Sequence, residues 1–198
     1  MDVEKIINFI EDKDIEINND WYFHATAENI DVVKNILDEG IKCAHLRNKK
    51  PNHFNGKYYV SLYKHNTADN GLNLWLDKYP KFVIKDINPI YADRKKLTFR
   101  RMFINTRIPL RTSEWDGEYQ EYLMIDNSKF VALGYDISYI FSNIYCKEEE
   151  ILEKLQKEKL LLLKNIILYM NKINSNLPIY DFSTKHEINK EKVLSLHI

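Results

Sequence analysis

The sequence predicts a single α+β domain spanning residues 1–198, and three observations support this prediction. Several short segments have the aromatic-rich composition of β-strands, and three longer segments have the apolar spacing of helices. These segments do not alternate regularly along the chain, which argues against a doubly wound parallel sheet. Apolar residues make up 44% of the chain, enough to fill a sizeable core, so an intrinsically disordered protein is excluded.

Residues 27–39 are the best-marked helix in the first half of the chain. An apolar stripe recurs at helical spacing through this segment. Either Thr26 or Asn29 can cap its first turn with a side-chain oxygen. Gly40 stands where a helix commonly ends in a left-handed residue. The sequence therefore predicts both ends of this helix.

Helical spacing also marks both ends of the chain. Residues 1–12 carry apolar side chains at positions i, i+3, i+4 and i+7. Residues 147–174 are longer, with a wide apolar face and a charged start, and they are the last clear element in the sequence. We expect a long C-terminal helix whose leucines pack in the core.

Strand composition recurs between and after the helices. Residues 126–128 have a good turn sequence and join two of the strands. Residues 98–110 have strand composition that is interrupted by charged residues and by Pro109. The predicted strands are 21–24, 58–63, 81–84, 119–125, 130–135 and, more weakly, 179–182.

Composition excludes several partners and compartments. Lysine plus arginine and aspartate plus glutamate both number 29, so no net charge draws the chain onto nucleic acid or a membrane. No apolar run approaches the roughly 20 residues that cross a bilayer, and the acidic N-terminus lacks a secretory signal. Only Cys43 and Cys146 are present, which indicates a reducing compartment. We expect a cytoplasmic protein, or one delivered into the cytoplasm of a target cell, without a membrane partner.

Several common catalytic devices are also missing. The chain has five glycines, none of them spaced for a P-loop or a Rossmann phosphate loop. It has no nucleophile elbow of the Gly-x-Ser-x-Gly kind. His45, His53 and His65 are scattered through loop-like sequence rather than along one helix face, so we expect no metal site.

Four residues carry the remaining chemistry. His24 ends a strand where the chain enters a helix, a junction that offers backbone hydrogen-bonding groups beside an imidazole. Tyr59 and Ser61 alternate onto one strand face, where an aromatic ring can stack on a flat heterocycle. Glu121 interrupts an otherwise apolar strand, so its carboxylate faces either solvent or a polar cleft.

In this order and spacing, the segments resemble the ADP-ribosyltransferase superfamily, in its branch with a His-Tyr-Glu triad. The opening Phe-His-Ala-Thr and the helix that ends before Gly-Ile are similar to the family's first strand and following helix. Ala25 replaces the family's usual glycine. Position 119 is tyrosine, so the pair of glutamates typical of arginine-specific or asparagine-specific toxins is absent. The resemblance covers residues 21–135 and leaves the long C-terminal helix without a counterpart.

The resemblance implies a split β-sandwich with flanking helices that binds NAD as co-substrate. It implies that His24 holds the adenosine ribose and that the backbone at Ala25 holds the nicotinamide amide, with Thr26 also binding the cofactor. It implies further that Tyr59 stacks on the nicotinamide with Ser61 beside it. Glu121 is implied as the catalytic carboxylate. Tyr58 is the alternative to Tyr59.

Some of these residues fit more than one interpretation. His24 can equally be a core histidine, and Arg47 is a candidate ligand of the NAD pyrophosphate. The basic run at 94–101 fits either a phosphate grip or a solvated loop. The implied activity is transfer of ADP-ribose to a macromolecule, with protein the first choice of acceptor and a nucleic-acid base the second. A catalytically inactive binding module on the same fold is the alternative outside enzymes.

Overall fold

The computed structural model describes residues 3–17, 21–42, 53–54, 57–58, 60–62, 80–85, 90–92, 121–124, 130–137 and 149–198. These residues form strands and helices in an irregular order, so the predicted α+β class is confirmed. In chain order the elements are α1 (Val3–Ile10), β1 (Glu11–Asp14), β2 (Tyr22–Ala25), α2 (Ile30–Glu39), β3 (His53–Phe54), β4 (Lys57–Tyr58), β5 (Val60–Leu62), β6 (Lys81–Ile84), β7 (Ile90–Ala92), β8 (Glu121–Met124), β9 (Phe130–Gly134), α3 (Glu149–Lys172), β10 (Ile179–Asp181), β11 (His186–Ile188) and α4 (Lys190–Ser195). For β3, β4, β7 and β8, and for β5 apart from Leu62, the description is of the backbone.

Six strands form one mixed sheet in the order β1-β11-β10-β9-β6-β2. Strands β9 and β10 run parallel, and the other neighbours in this sheet run antiparallel. The predicted strands 21–24, 81–84 and 179–182 are confirmed as β2, β6 and β10. Strand β2, which carries His24, is an edge strand of this sheet.

A smaller sheet holds the strands predicted to carry the tyrosine and the glutamate. It has three antiparallel strands in the order β5-β8-β7, while β3 and β4 pair separately. The predicted strand 58–63 is therefore divided: Tyr58 belongs to β4, and Val60–Leu62 form β5. Predicted strands 119–125 and 130–135 are confirmed as β8 and β9, but the two do not pair with each other. Strand β8 lies in the smaller sheet and β9 in the larger. Predicted segment 98–110 lies outside the described residues.

The predicted helices are confirmed as α1, α2 and α3, with narrower bounds than predicted. The prediction was wrong for residues 11–12, which begin β1 rather than end α1. Asn29 rather than Thr26 caps α2, and Gly40 ends it with a φ of 78°, which favours glycine. Helix α3 is not the last element, because the chain continues into β10, β11 and α4, and β10 lies beside β9 in the main sheet.

The main sheet separates two apolar clusters. The larger cluster joins all four helices to one face of the sheet, with Leu160, Leu163 and Ile166 of α3 completely buried. The smaller cluster covers the opposite face and is largely aromatic, with Trp21 stacked on Tyr180 and edge-on to Phe182. Because the two faces differ, the alternation along each strand tells which cluster a residue joins.

Gly134 on β9 makes room for the aromatic cluster, and its replacement is a direct test of that packing. A Cβ at this position would clash with Cε2 of Phe182. We expect Gly134→Ala to lower the free energy of unfolding by about 1–3 kcal/mol, the usual effect of overpacking. Urea denaturation measures it, and adding Phe182→Leu is expected to restore part of the loss. Unchanged stability of the single variant would show that the ring of Phe182 moves aside freely.

Candidate functional site

His24 lies near the end of β2, where strand alternation fixes its face. It pairs with Phe82 of β6 and is half-buried. Its neighbour two residues back, Tyr22, packs against the larger cluster, so His24 lies on the sheet face that the helices cover. Ala25 lies on the opposite face, beside the aromatic cluster. The strand therefore presents His24 and Ala25 to different sides of the sheet.

The peptide groups of Ala25 point away from β6, toward the edge of the main sheet. The amide of the next residue, Thr26, donates to the carbonyl of Pro80 at 2.9 Å, on the β6 side. Because peptide groups alternate sides along an antiparallel strand, the N–H and C=O of Ala25 point away from β6. Among the described strands of the main sheet, none pairs with β2 on that side, and β5 of the smaller sheet lies close by. This geometry lets the backbone at Ala25 pair with an amide, which both donates and accepts.

The segment after Thr26 leads directly into α2. The side chain of Asn29 accepts hydrogen bonds from the amides of Asp31 at 2.8 Å and Val32 at 3.3 Å. A cap of this kind is worth about 1 kcal/mol. Glu28 lies just before the cap, so the four residues 26–29 connect β2 to a helix whose start is well defined.

The register of β5 with β8 places Ser61 and Glu121 on one face of the smaller sheet. Leu62 is opposite Tyr122, and Ser61 is opposite Leu123. Opposed residues share a face and successive residues alternate, so positions 61, 121 and 123 lie together. Leu62 lies on the other face and is completely buried in the larger cluster. Ser61 and Glu121 are therefore on the face turned away from the helices.

Three strands that are far apart in sequence lie next to one another. Strand β5 lies close to β2, although the two belong to different sheets, and β8 pairs with β5. The strands that carry His24, Ser61 and Glu121 are thus neighbours, but the residues do not share a face. His24 lies on the helix-covered face, whereas Ser61 and Glu121 lie on the face turned away from the helices. Of the other predicted site residues, Thr26 is buried at the end of β2, while Tyr59, Arg47 and the basic run 94–101 lie outside the described residues.

Several buried charged residues lie next to β2. They were not among the predicted site residues. Lys81, which pairs with Ala25 across β2 and β6, forms an ion pair with Asp136, and both are essentially inaccessible. The other carboxylate oxygen of Asp136 accepts from the amide of Phe182 at 2.5 Å. Reciprocally, Asp181 accepts from the amide of Ile137 at 3.1 Å. A lysine that opens the otherwise apolar strand β6 is the sequence signal that could have marked this cluster.

A second buried lysine, Lys159 of α3, contacts the segment 26–29 that connects β2 to α2. Its Nζ lies 3.5 Å from Oε1 of Glu28, whose side chain is 38% exposed, and 5.2 Å from the ring centre of Tyr135. Burial lowers the pKa of Lys159 to about 8, although Glu28 and Asp136 act in the opposite direction. Burial also raises the pKa of Tyr135, whose hydroxyl donates to the carbonyl of Lys159 at 2.7 Å.

Because folding lowers the pKa of Lys159, the free energy of unfolding depends on pH. The unfolded chain keeps the proton of Lys159 up to the ordinary pKa of 10.5, whereas the folded protein releases it near 8. The unfolded state therefore binds more protons between these values, and this group makes stability rise with pH there. Below pH 8 the buried charge destabilises the fold by roughly 3 kcal/mol.

We expect Lys159→Met to be at least as stable as the wild type at pH 7, because Glu28 keeps its contact with water. Its advantage is expected to shrink as the pH rises from 8 to 10. Chemical denaturation of both proteins across this range provides the measurement. A stability difference that does not change with pH would show that Lys159 titrates normally.

Neither a metal site nor a membrane span is found in the described parts of the chain. No group of three or more histidine, cysteine, aspartate or glutamate side chains could hold a metal ion there. No described helix is long and apolar enough to cross a membrane. Comparison of the chain with protein-family models, with curated proteins and with solved structures found no match.

Proposed function

We propose that this protein is an NAD-dependent ADP-ribosyltransferase of the His-Tyr-Glu kind. The observation that carries the proposal is the order of neighbouring strands. The strand with His24 and Ala25 lies beside the strand with Ser61, which pairs with the strand of Glu121. The resemblance rests on the order and spacing of these segments, so it requires their strands to be neighbours in the fold. Strands that lay far apart would have left the resemblance without structural support.

The backbone at Ala25 supports the proposal with a specific chemical role. Its N–H and C=O point away from β6, toward the edge of the main sheet at which β2 lies. A nicotinamide carboxamide needs one acceptor and one donor, and this single peptide position offers both. The replacement of glycine by alanine leaves these backbone groups unchanged.

Glu121 is assigned the catalytic role in this proposal. During transfer, the bond between the nicotinamide nitrogen and the ribose carbon breaks and the electron pair leaves with nicotinamide. The acceptor supplies the new bond to that carbon and gives up a proton. Positive charge grows on the ribose as the bond breaks, and a fixed carboxylate beside it lowers the barrier most effectively where water is excluded.

The acceptor is proposed to be a protein side chain. The neutral overall charge gives no general attraction to nucleic acid. A nucleic-acid base is the second candidate, because the basic run 94–101 can contact phosphates. Incubation of the protein and a cell lysate with NAD labelled in its adenylate half separates these possibilities. Label on protein supports the proposal, and label on nucleic acid moves the acceptor to the second candidate. NAD binding without label or nicotinamide release identifies an inactive binding module.

His24 is expected to contribute to NAD affinity rather than to turnover. We expect His24→Ala to weaken NAD binding about tenfold or more through loss of a hydrogen bond to a ribose hydroxyl. Isothermal titration calorimetry measures the affinity. A variant that binds as tightly as the wild type would identify His24 as a core residue, as its position on the helix-covered face also permits.

A further inference from the structure

The contact between Lys159 and Glu28 ties α3 to the segment 26–29, and the proposed reaction does not use either residue. Lys159 is 4% exposed, so its ammonium lies inside the protein. Glu28 lies two residues after Thr26, in the short connection between β2 and α2. The contact therefore joins a helix that packs in the larger cluster to the residues that follow Ala25.

A buried ammonium is a poor choice for stability, since a methionine of similar shape would fill the same space. What the lysine adds over a methionine is an ionic contact with the carboxylate of Glu28. We propose that Lys159 is a positioning residue: through Glu28 it fixes the segment 26–29 and with it the backbone at Ala25 that receives the nicotinamide amide. The part concerning nicotinamide rests on the proposed function, whereas the fixing of the segment does not.

Among the described residues, the charged groups that act on Lys159 come from three neighbouring parts of the fold. Glu28 precedes α2, Asp136 follows β9 and Lys81 lies on β6, while the ring of Tyr135 faces the ammonium. The two carboxylates favour the charged form, and burial and Lys81 oppose it. Deprotonation removes the attraction for Glu28, which is exposed enough to turn to water. The segment is therefore held below pH 8 and released above it.

The local effect is measured by hydrogen exchange at pH 7, without NAD. The reporters are amides bonded within or just after the segment, those of Asn29, Asp31 and Val32. We expect Lys159→Met and Glu28→Gln each to speed exchange of these amides about tenfold, while Lys159→Arg keeps the wild-type rate. Lys157→Met is the matched control: Lys157 lies on the same helix and pairs with Glu153 at 3.2 Å on the exposed face. It is expected to change nothing.

Global stability serves as the second readout. Lys159→Met is expected to be at least as stable as the wild type overall, so that its faster local exchange cannot come from general loosening. Slower or unchanged exchange in both Lys159→Met and Glu28→Gln would overturn the proposal. So would an equal acceleration at amides throughout the protein.

The pH dependence of NAD affinity tests whether the segment 26–29 affects NAD binding. In the wild type we expect affinity to fall about tenfold between pH 7 and pH 9.5, with a midpoint near 8, the value to which burial brings the pKa of Lys159. Lys159→Arg, which stays charged, is expected to bind equally at both ends of this range. If the Arg variant follows the wild-type profile, the positioning role toward NAD is wrong. If no variant binds NAD at any pH, the proposed function fails while the exchange result still decides whether the segment is held.

Discussion

Replacing Glu121 with glutamine is expected to lower the rate of ADP-ribose transfer by about 100-fold or more while leaving NAD affinity within a few-fold. The substitution keeps the size of the side chain and removes its charge. That charge matters chiefly when positive charge develops on the ribose, so kcat falls and ground-state binding persists. Single-turnover release of nicotinamide and calorimetric titration with NAD measure the two quantities separately.

A matched glutamate on the surface provides the control for this substitution. Glu150 of α3 is exposed, and Glu150→Gln makes the same chemical change far along the chain from β8. It is expected to leave both transfer and binding unchanged. Near-normal turnover of Glu121→Gln would remove the carboxylate from the mechanism, and loss of NAD binding with it would assign Glu121 to recognition.

The largest expected effect on stability comes from the buried pair of Lys81 and Asp136. Asp136→Asn keeps the shape of the side chain but removes the charge that Lys81 contacts, where both residues are essentially without solvent. We expect a loss of about 3–5 kcal/mol in the free energy of unfolding, since an ammonium in such a site is costly without a counter-charge. The midpoint of urea denaturation at pH 7 gives the measurement.

The double variant Lys81→Met with Asp136→Leu separates charge from packing. It replaces both ions with apolar groups, and we expect it to recover most of the stability that Asp136→Asn loses. As a surface comparison, Lys154→Met disrupts the exposed contact with Glu158 and is expected to leave the midpoint unchanged. A small effect of Asp136→Asn would mean that water or another group already satisfies Lys81.

Local patterns in the sequence predict the elements that depend on local rules. Residues 81–84 are apolar apart from the first and bounded by Pro80, and they form β6 at the predicted bounds. The helical spacing and capping residues before Gly40 likewise predict α2 to within three residues at its start. These elements follow from alternation, capping and turn chemistry, which neighbouring residues determine.

Strand β1 shows what such patterns miss. Its four residues, Glu11–Asp14, are all charged and have no strand propensity. They form a strand because β11 offers an edge, with Glu11 opposite Ile188 and Asp14 opposite His186. Charges suit an outermost strand, where they oppose further pairing. The pairing depends on residues more than 170 positions away, so no local window contains it.

The candidate site is likewise only partly predictable from the sequence. The sequence indicates His24, Ser61 and Glu121 as residues of interest, and their strands are those of the structure. It does not indicate that the segment 58–63 is shared between two sheets, or that His24 lies on the helix-covered face. The ionic groups Lys81, Asp136 and Lys159 were also missed, because only the fold brings these separate lysines and aspartates together.

A structure of Glu121→Gln with NAD bound would show whether the proposed site exists. This variant is expected to hold the dinucleotide without consuming it. We expect the nicotinamide amide to lie within hydrogen-bond distance of the N–H and C=O of Ala25 and the nicotinamide ribose to lie beside residue 121. NAD bound elsewhere, or nicotinamide far from both β2 and β8, would contradict it.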